Sequence, residues 1–375
     1  MSDTSEIAEL LCQSAEDFIS AHGDLNTQRQ NLGQAWPIDR KLWSSLADLG
    51  WLGLALTERL GGSQMHVNVA APLCEVLGRH LFDQPFIAAA LLPAMVLNAA
   101  QNKQAQSLAD GLLSGATHLC LAWQEAVECS ELEVPKTRVE NGRLIGRKMF
   151  VAGLEDDSVM LVYAAHAGQT AVFALAANTE GVSIKRFATA HGSYSQVEFS
   201  DVPLDDAAPL LSGALATRAV RRAISFGRVA VSAQLAGIAR SCLEQTIEYV
   251  NQRVQFGRPI GSFQSVKHRC VDMAIQLEMA DVAWRNAADQ MSVGCDDDFN
   301  GDFNDGVYQA SQYAAKARCS DVARQVCKEA VQLHGAMGFT EECNVGLHFR
   351  AAMQYASWLG TPVFMRRQFI SAGGS

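Results

Sequence analysis

The chain has 375 residues, 49% of them hydrophobic and only 19% charged, and carries a net charge of -10. That is enough apolar material for a large core and too much chain for one ordinary domain, so two or three domains are expected. The acidic balance argues against a nucleic-acid partner or an anionic membrane surface, both of which recruit clustered Lys and Arg. No apolar run reaches the length of a bilayer span.

The first residues, MSDTSEIAELLCQSAEDF, are acidic where a secretory signal would be basic and then apolar, which predicts a cytoplasmic protein. Ten cysteines, Cys12, Cys74, Cys120, Cys242 and Cys319 among them, are scattered without a C-x-x-C pair. Free thiols in a reducing compartment follow, and neither a disulfide framework nor a metal site is expected.

Residues 5 to about 113 read as helices. PIDRKLWSSLADLGWLGLAL (37–56) spaces Leu42, Leu46 and Leu49 three and four apart, and VAAPLCEVLGRHLF continues the period. TERLGGSQ (57–64) divides the two with paired glycines, a turn signal. From about 117 to 210 the pattern becomes short β-branched and aromatic runs, GRKMFVAGLEDDSVMLVYAA, TAVFALAA and YSQVEFSDVPL, separated by Gly, Asp, Asn and Ser. That is the pattern of an antiparallel sheet or barrel. From about 215 the helical period returns, with Val231, Leu235, Ile238 and Cys242 on one stripe flanked by Leu243, Ile247 and Val250. The expected organisation is an N-terminal all-α domain (1–115), a middle antiparallel β domain (116–212) and a C-terminal four-helix bundle (213–375). GCDDDFNGDFNDG (294–306) is only superficially like a calcium loop, because it lacks a closing Glu, and reads as a solvated connection.

RVQFGRPIGSFQSVKHRCVDMA (253–274) turns between two helices. EAVQLHGAMGFTEECNVGLHFRAA (329–352) follows, LTERLGGS precedes, and GRKMFVAG with VEFSDVPL lies between. In this order the stretches resemble the acyl-CoA dehydrogenase family, with its R-x-Q-F-G-x-P-I-x-x-F-Q turn and its Q-x-x-G-G-x-G-[FY] turn. The resemblance spans nearly the whole chain and implies the same three-domain arrangement, with FAD held between domains and between neighbouring subunits. It implies that Arg253 meets the FAD pyrophosphate of the adjacent subunit, a charge-assisted contact from a fixed guanidinium. Gln255, Phe256 and Gln264 match positions along the same dinucleotide. Gln332, Gly335 and Ala336 match the turn whose small residues admit the adenosine half; Ala336 departs from the usual Gly by one methyl.

The catalytic positions depart further. The family's reaction removes the α proton of an acyl-CoA thioester as hydride leaves the β carbon, which needs a general base. Aligned on FRAAMQYASWLGT, the usual Glu before Gly-Thr is Leu359. The alternative Glu on the long helix, before the Arg matched by Arg228, is Gly227. Neither can accept a proton. The family's T-E-x-G-x-G-S-D stretch, which reaches the flavin ring and substrate, is replaced here by AWQEAVECSELE (122–133), and its W-x-T pair beside the ring is Phe150 and Ala152, without the hydroxyl. Thr361 persists as a flavin contact. Glu341 and Glu342 read as solvated surface charges. Arg218, Arg221, Arg222 and Arg228 begin the long helix as an attractor for CoA phosphates or as an exposed basic face.

An intact ADP-binding half beside an eroded ring half fits a chain that donates its residues to a neighbour's FAD. The resemblance narrows to the subunit lacking the catalytic Glu in heteromeric (α2β2) acyl-CoA dehydrogenases of bacterial steroid side-chain degradation. It implies a second subunit bearing the Glu, an acyl-CoA substrate with a bulky acyl group, and electron-transfer flavoprotein or a similar acceptor. Two other readings stand beside it: a homomeric flavoenzyme with other chemistry such as monooxygenation, and a catalytically silent scaffold paralogue.

Overall fold

The computed structural model describes residues 3–23, 25–126, 131–204, 208–293 and 306–373. The acidic loop therefore lies outside the described residues up to position 305. Six helices come first: α1 (Asp3–His22), α2 (Leu25–Gln30), α3 (Arg40–Asp48), α4 (Val67–Arg79), α5 (Leu92–Asn98) and α6 (Lys103–Leu113). Eight strands follow: β1 (Leu119–Ala122), β2 (Arg138–Glu140), β3 (Arg143–Ala152), β4 (Val159–His166), β5 (Gln169–Ala176), β6 (Val182–Ala188), β7 (Ser193–Pro203) and β8 (Leu211–Ser212). The chain closes with α7 (Gly213–Gln252), a small hairpin of β9 (Val254–Gln255) and β10 (Arg258–Pro259), then α8 (Gln264–Val293), α9 (Gly306–His334), α10 (Asn344–Ser357) and α11 (Pro362–Ser371). Helices α7 to α10 pack as the expected bundle, and α11 lies against α9.

The sheet runs in the order β6-β7-β3-β2-β4-β5-β8, with β1 joined to β4. It is antiparallel except that β1 and β2 both run parallel to β4, so the middle layer is a mixed sheet rather than a purely antiparallel one. In α3 the expected Leu stripe is shifted: Trp43 and Leu46 are buried, whereas Leu49 caps the helix and is exposed. Ile247, expected beside the long-helix stripe, also faces outward.

Helix α7 is buried continuously from Arg222 to Ala239, which makes it the central axis of the molecule rather than an amphipathic surface helix. Its crossing with α4 is close because both contact points are glycines. A Cβ on Gly237 would lie 1.9 Å from the carbonyl oxygen of Glu75, and one on Gly78 would lie 2.1 Å from that of Gln234. The crossing is braced by charge: Arg240 of α7 pairs with Glu75 of α4 (2.8 Å) and with Asp281 of α8, which also accepts from the Trp284 indole (3.1 Å). Such half-buried pairs fix orientation more than they add stability.

Two predictions follow from this packing. Gly237→Ala should destabilise by about 2 kcal/mol or more through backbone overlap, while Glu248→Ala on the exposed face stays within about 0.5 kcal/mol, read from paired denaturation midpoints. The second concerns His118, buried against Trp43 with ring centroids 5.1 Å apart. Burial and then Arg40 push its pKa from 6.5 down to about 4. Between those values the unfolded chain binds a proton that the folded chain refuses, so stability falls as pH drops below 6.5. Urea unfolding at about pH 5 against about pH 7 should show a slope of about 1.4 kcal/mol per pH unit from this group, flattened in His118→Phe.

Candidate active site

The two positions that the resemblance assigns to the base lie against one another. A Cβ built on Gly227 would sit 2.8 Å from Leu359 Cδ1 and 2.6 Å from Leu92 Cδ2, so leucine side chains fill the space a carboxylate would need. Leu359 is 3% exposed and takes φ +58°, an uncommon conformation for a bulky residue. Two buried cations hold it there. Arg228 Nε donates to the Leu359 carbonyl (3.0 Å), and Lys316 Nζ donates to the carbonyls of Tyr355 (3.1 Å), Ala356 (3.0 Å) and Gly360 (3.2 Å) and to Ser320 Oγ (3.0 Å). Burial, with Arg228 adding to it, lowers the Lys316 ammonium to about 7.

Arg228 is 1% exposed, pairs with Glu131 at 2.7 Å and lies over the Tyr313 ring at 5.2 Å. It does not share an exposed basic face with its neighbours: Arg222 is buried, Arg218 is half-buried and only Arg221 is exposed. The expectation of a substrate-attracting arginine row is corrected accordingly, because the helix turns these side chains into different layers. In the 122–133 segment, two carboxylates have partners. Glu131 holds Arg228, and Glu125 accepts the backbone N–H groups of Lys136 (2.7 Å) and Thr137 (2.9 Å) and pairs with buried Lys148 (2.6 Å). Although burial raises the Glu125 carboxyl, Lys148 outweighs it and the pKa is lowered. No local motif marks Glu131, since its partner lies far along the chain. Residues 127–130 of this segment lie outside the description.

The ADP-side residues gather at one end of the bundle. Tyr249, near the end of α7, stacks on His334 at the end of α9 (centroids 4.3 Å) and donates to its carbonyl (3.3 Å). That tie brings the hairpin after α7 and the turn after α9 together. Arg253, Gln255 and Gln264 are exposed, as are Gln332, Gly335 and Ala336. Phe256 and Gly257 take φ +52° and +79° at the hairpin tip, the two positive values a type I′ turn requires. This thrusts the Phe256 ring outward, 92% exposed. An exposed guanidinium beside a small-residue turn suits a phosphate and an adenosine face. Thr361 is exposed, and its hydroxyl caps α11 by accepting from the Phe364 N–H (3.3 Å).

The ring-side positions border a cleft built from all three layers. Ala152 and Trp358 line it, with Trp36, Phe82, Phe86 and Tyr355 among its other walls. Phe150 meets the lining Tyr194 edge-on at 5.9 Å. Two carboxyls also line it, Asp83 and Glu155, both raised above the usual range by burial. His191 on the same wall is pushed down to about 3 by burial and by His348, and so stays neutral. The connection between α2 and α3 closes one side: Glu155 accepts the Ile38 N–H (3.1 Å), Gln84 accepts the Asp39 N–H (3.0 Å), and Trp36 lies edge-on to His191 at 4.8 Å. Among the described residues no Lys or Arg lines the cleft. The cleft therefore has no lysine or arginine to meet the negative charge that the pyrimidine edge of a flavin gathers on reduction, and Ala152 brings a methyl where the family has a hydroxyl; its side-chain donors are neutral, Gln84, Gln234 and Gln354 among them. None of the cleft's polar residues stands in a sequence pattern that marks it.

Comparison with known proteins agrees with this architecture. The acyl-CoA dehydrogenase N-terminal domain matches residues 5–116 and the acyl-CoA dehydrogenase C-terminal domain matches residues 217–372, together more than half of the chain. The chain is 25% identical to the acyl-CoA dehydrogenase IpdE2 of Mycolicibacterium smegmatis over 365 residues, 96% of each protein. Among solved structures it is similar to the ChsE4-ChsE5 complex of Mycobacterium tuberculosis (TM-score 0.84, 25% identity, 99% of this chain and 97% of that one). It shares the fold of the Tcur3481-Tcur3483 steroid ACAD (TM-score 0.85, 23% identity, 98% of each chain). No described helix is long and apolar enough to cross a membrane. With its helix, sheet and helix-bundle layers and matches to both terminal domains, the chain belongs to the acyl-CoA dehydrogenase family of oxidoreductases.

Proposed function

We propose that this chain is the partner subunit of a heteromeric FAD-dependent acyl-CoA dehydrogenase, one that supplies the ADP-binding half of the cofactor site and no catalytic base. The observation that carries the reading is the contact between Gly227 and Leu359: both base positions of the family meet at one point, and Leu92 and Leu359 fill it. The α proton must then leave to a carboxylate of the second subunit. FAD, when bound across the interface, supplies the hydride acceptor for the β carbon. This chain's own part is to hold it. Arg253 presents a fixed guanidinium to the pyrophosphate, Gln255, Phe256 and Gln264 flank it, and Gln332, Gly335 and Ala336 leave room for the adenosine half.

The similarity to the ChsE4-ChsE5 complex and to a steroid ACAD supports a second dehydrogenase chain as partner and a bulky, steroid-like acyl group on the CoA thioester as substrate. Electron-transfer flavoprotein or a similar acceptor completes the cycle. A reducing cytoplasm suits the eight described cysteines, all free thiols.

Expressed alone, the chain should carry little FAD; with its partner it should form a yellow heterotetramer holding fewer flavins than chains, measured by released flavin and native mass. One tightly held FAD per chain in a homotetramer would sink the reading in favour of other flavin chemistry. In the complex, Arg253→Ala should lower FAD affinity about tenfold or more, whereas a silent scaffold would leave flavin content and partner activity unchanged. Leu359→Glu should give no acyl-CoA oxidation by the isolated chain with an artificial electron acceptor, because Phe150, Ala152 and the 122–133 segment still fail to seat a flavin ring.

A further inference from the structure

We infer that Arg29 is a positioning residue for the dinucleotide: a guanidinium of the N-terminal layer that holds the turn between α9 and α10 in the shape it presents to a neighbour's FAD. This rests on the proposed function, because it takes Gln332, Gly335 and Ala336 as the adenosine contacts.

The turn carries those residues at its near end, where Gln332, Gly335 and Ala336 are exposed, followed by exposed Met337 and Phe339. That end is fixed by the stacking of Tyr249 on His334 and by the hydroxyl bond to the His334 carbonyl. The far end has a different support. Arg29 of α2 donates from Nε to the Glu341 carbonyl (2.8 Å), and from Nη2 to the Glu342 carbonyl (3.3 Å) and to Oδ1 of Asn344, the first residue of α10. Its Nη1 donates to Asn26 Oδ1 (2.9 Å), which orients the guanidinium from the α2 side. Glu341 and Glu342 therefore serve through their carbonyls, while both residues are exposed. A planar fork with donors at fixed angles suits three acceptors on neighbouring residues, and an ammonium, whose donors share one nitrogen, reaches fewer of them.

The anchor is itself held. Helix α2 is six residues long, too short to stand alone. Gln28, 3% exposed, donates to the Leu81 carbonyl just past α4, and Leu25 and Leu32 pack against the main core. At the same end of α4, the Arg79 carbonyl lies 3.2 Å from His348 Nε2 of α10. The end of α4 thus holds α10 directly, and holds the preceding turn through α2 and Arg29.

Ordering is what this arrangement contributes. A turn that must be frozen when the dinucleotide arrives gives up affinity to conformational entropy, and a turn fixed beforehand does not. The bonds of Arg29 end at residues 341, 342 and 344, so its action on the ligand passes through the turn.

The test uses the flavin-loaded complex with the Glu-bearing subunit and, separately, the isolated chain. In the complex, Arg29→Ala should raise the FAD dissociation constant about fivefold to tenfold and Arg29→Lys no more than about threefold, while kcat at saturating FAD stays within about twofold of the unmodified complex. Asn344→Ala should weaken FAD in the same direction, and its combination with Arg29→Ala should cost less than the product of the two single effects. In the isolated chain, amide exchange across residues 335–343 should quicken about tenfold in Arg29→Ala while the amides of α7 and α9 keep their protection. Unchanged FAD affinity in Arg29→Ala would overturn the inference, as would a fall in kcat together with lost protection in α7 and α9, which marks general destabilisation. Arg253→Ala separates the two readings. If it weakens FAD and Arg29→Ala does not, the inference falls and the proposed function stands; if Arg253→Ala leaves FAD affinity unchanged, the proposed function falls and takes the inference with it.

Discussion

The close crossing of α4 and α7 governs the arrangement of everything else. Two glycines, Gly78 and Gly237, let each backbone approach the carbonyls of the other helix, and no residue with a Cβ fits at either point. Because α7 is the buried axis, the crossing fixes how the N-terminal helices sit on the bundle. Within one turn before the crossing glycines, Cys74 and Leu77 of α4 and Gln234 of α7 line the three-layer cleft. The width of that cleft is therefore a consequence of a backbone contact, and Arg240 with Glu75 and Asp281 resists any sliding that would change it.

The segment around Leu359 is held in an uncommon geometry by buried cations. A leucine at positive φ is strained by about 1–2 kcal/mol relative to an ordinary conformation. It is tolerated because Arg228 and Lys316 take up the carbonyls on either side of it. Both cations are fully buried, and each is satisfied by several acceptors or an ion pair, so removing one would leave the other elements of the cluster unpaired. Leu92 and Leu359 side chains crowd Gly227, so the polar frame of Arg228 and Lys316 surrounds a hydrophobic plug.

Much of this was legible in the residue order. The change of period from helical to alternating and back located the three layers, since each element buries one face and repeats at its own spacing. The glycine-bearing turns at Gly257 and Gly335 were legible for a related reason: a positive φ restricts the residue type strongly. The side chains that surround the site were not. Leu49 and Ile247 lie on or beside the expected helical stripes, yet each is exposed; Leu49 caps its helix, and periodicity alone does not say where a long helix is covered by neighbours. Glu131, Asp83, Glu155 and His191 carry no local signature at all. Their roles depend on partners supplied by distant elements, and a cleft between layers exists only after the layers have met. The arginines of the long helix show the same limit from the other side, because one run of sequence sends Arg221 to solvent and Arg228 into the core.

The contrast between the two ends of the molecule bears on why such a chain would need a neighbour. At the bundle end, Phe256 is 92% and Phe339 79% exposed, on turns held rigid by the type I′ hairpin and by the stacking of Tyr249 on His334. Rigid, apolar and outward-facing side chains lose little entropy when a partner covers them, so they suit contact across subunits better than solvent. The exposed Arg253 and Gln332 stand at the helix ends beside these same turns. At the cleft, polarity runs the opposite way: its carboxyls are half-buried, and among the described residues no Lys or Arg lines it. Under the proposed function, a chain with these two surfaces would hold the anionic end of a dinucleotide for a neighbour and leave proton abstraction to it, and oxidation would then be a property of the assembled pair.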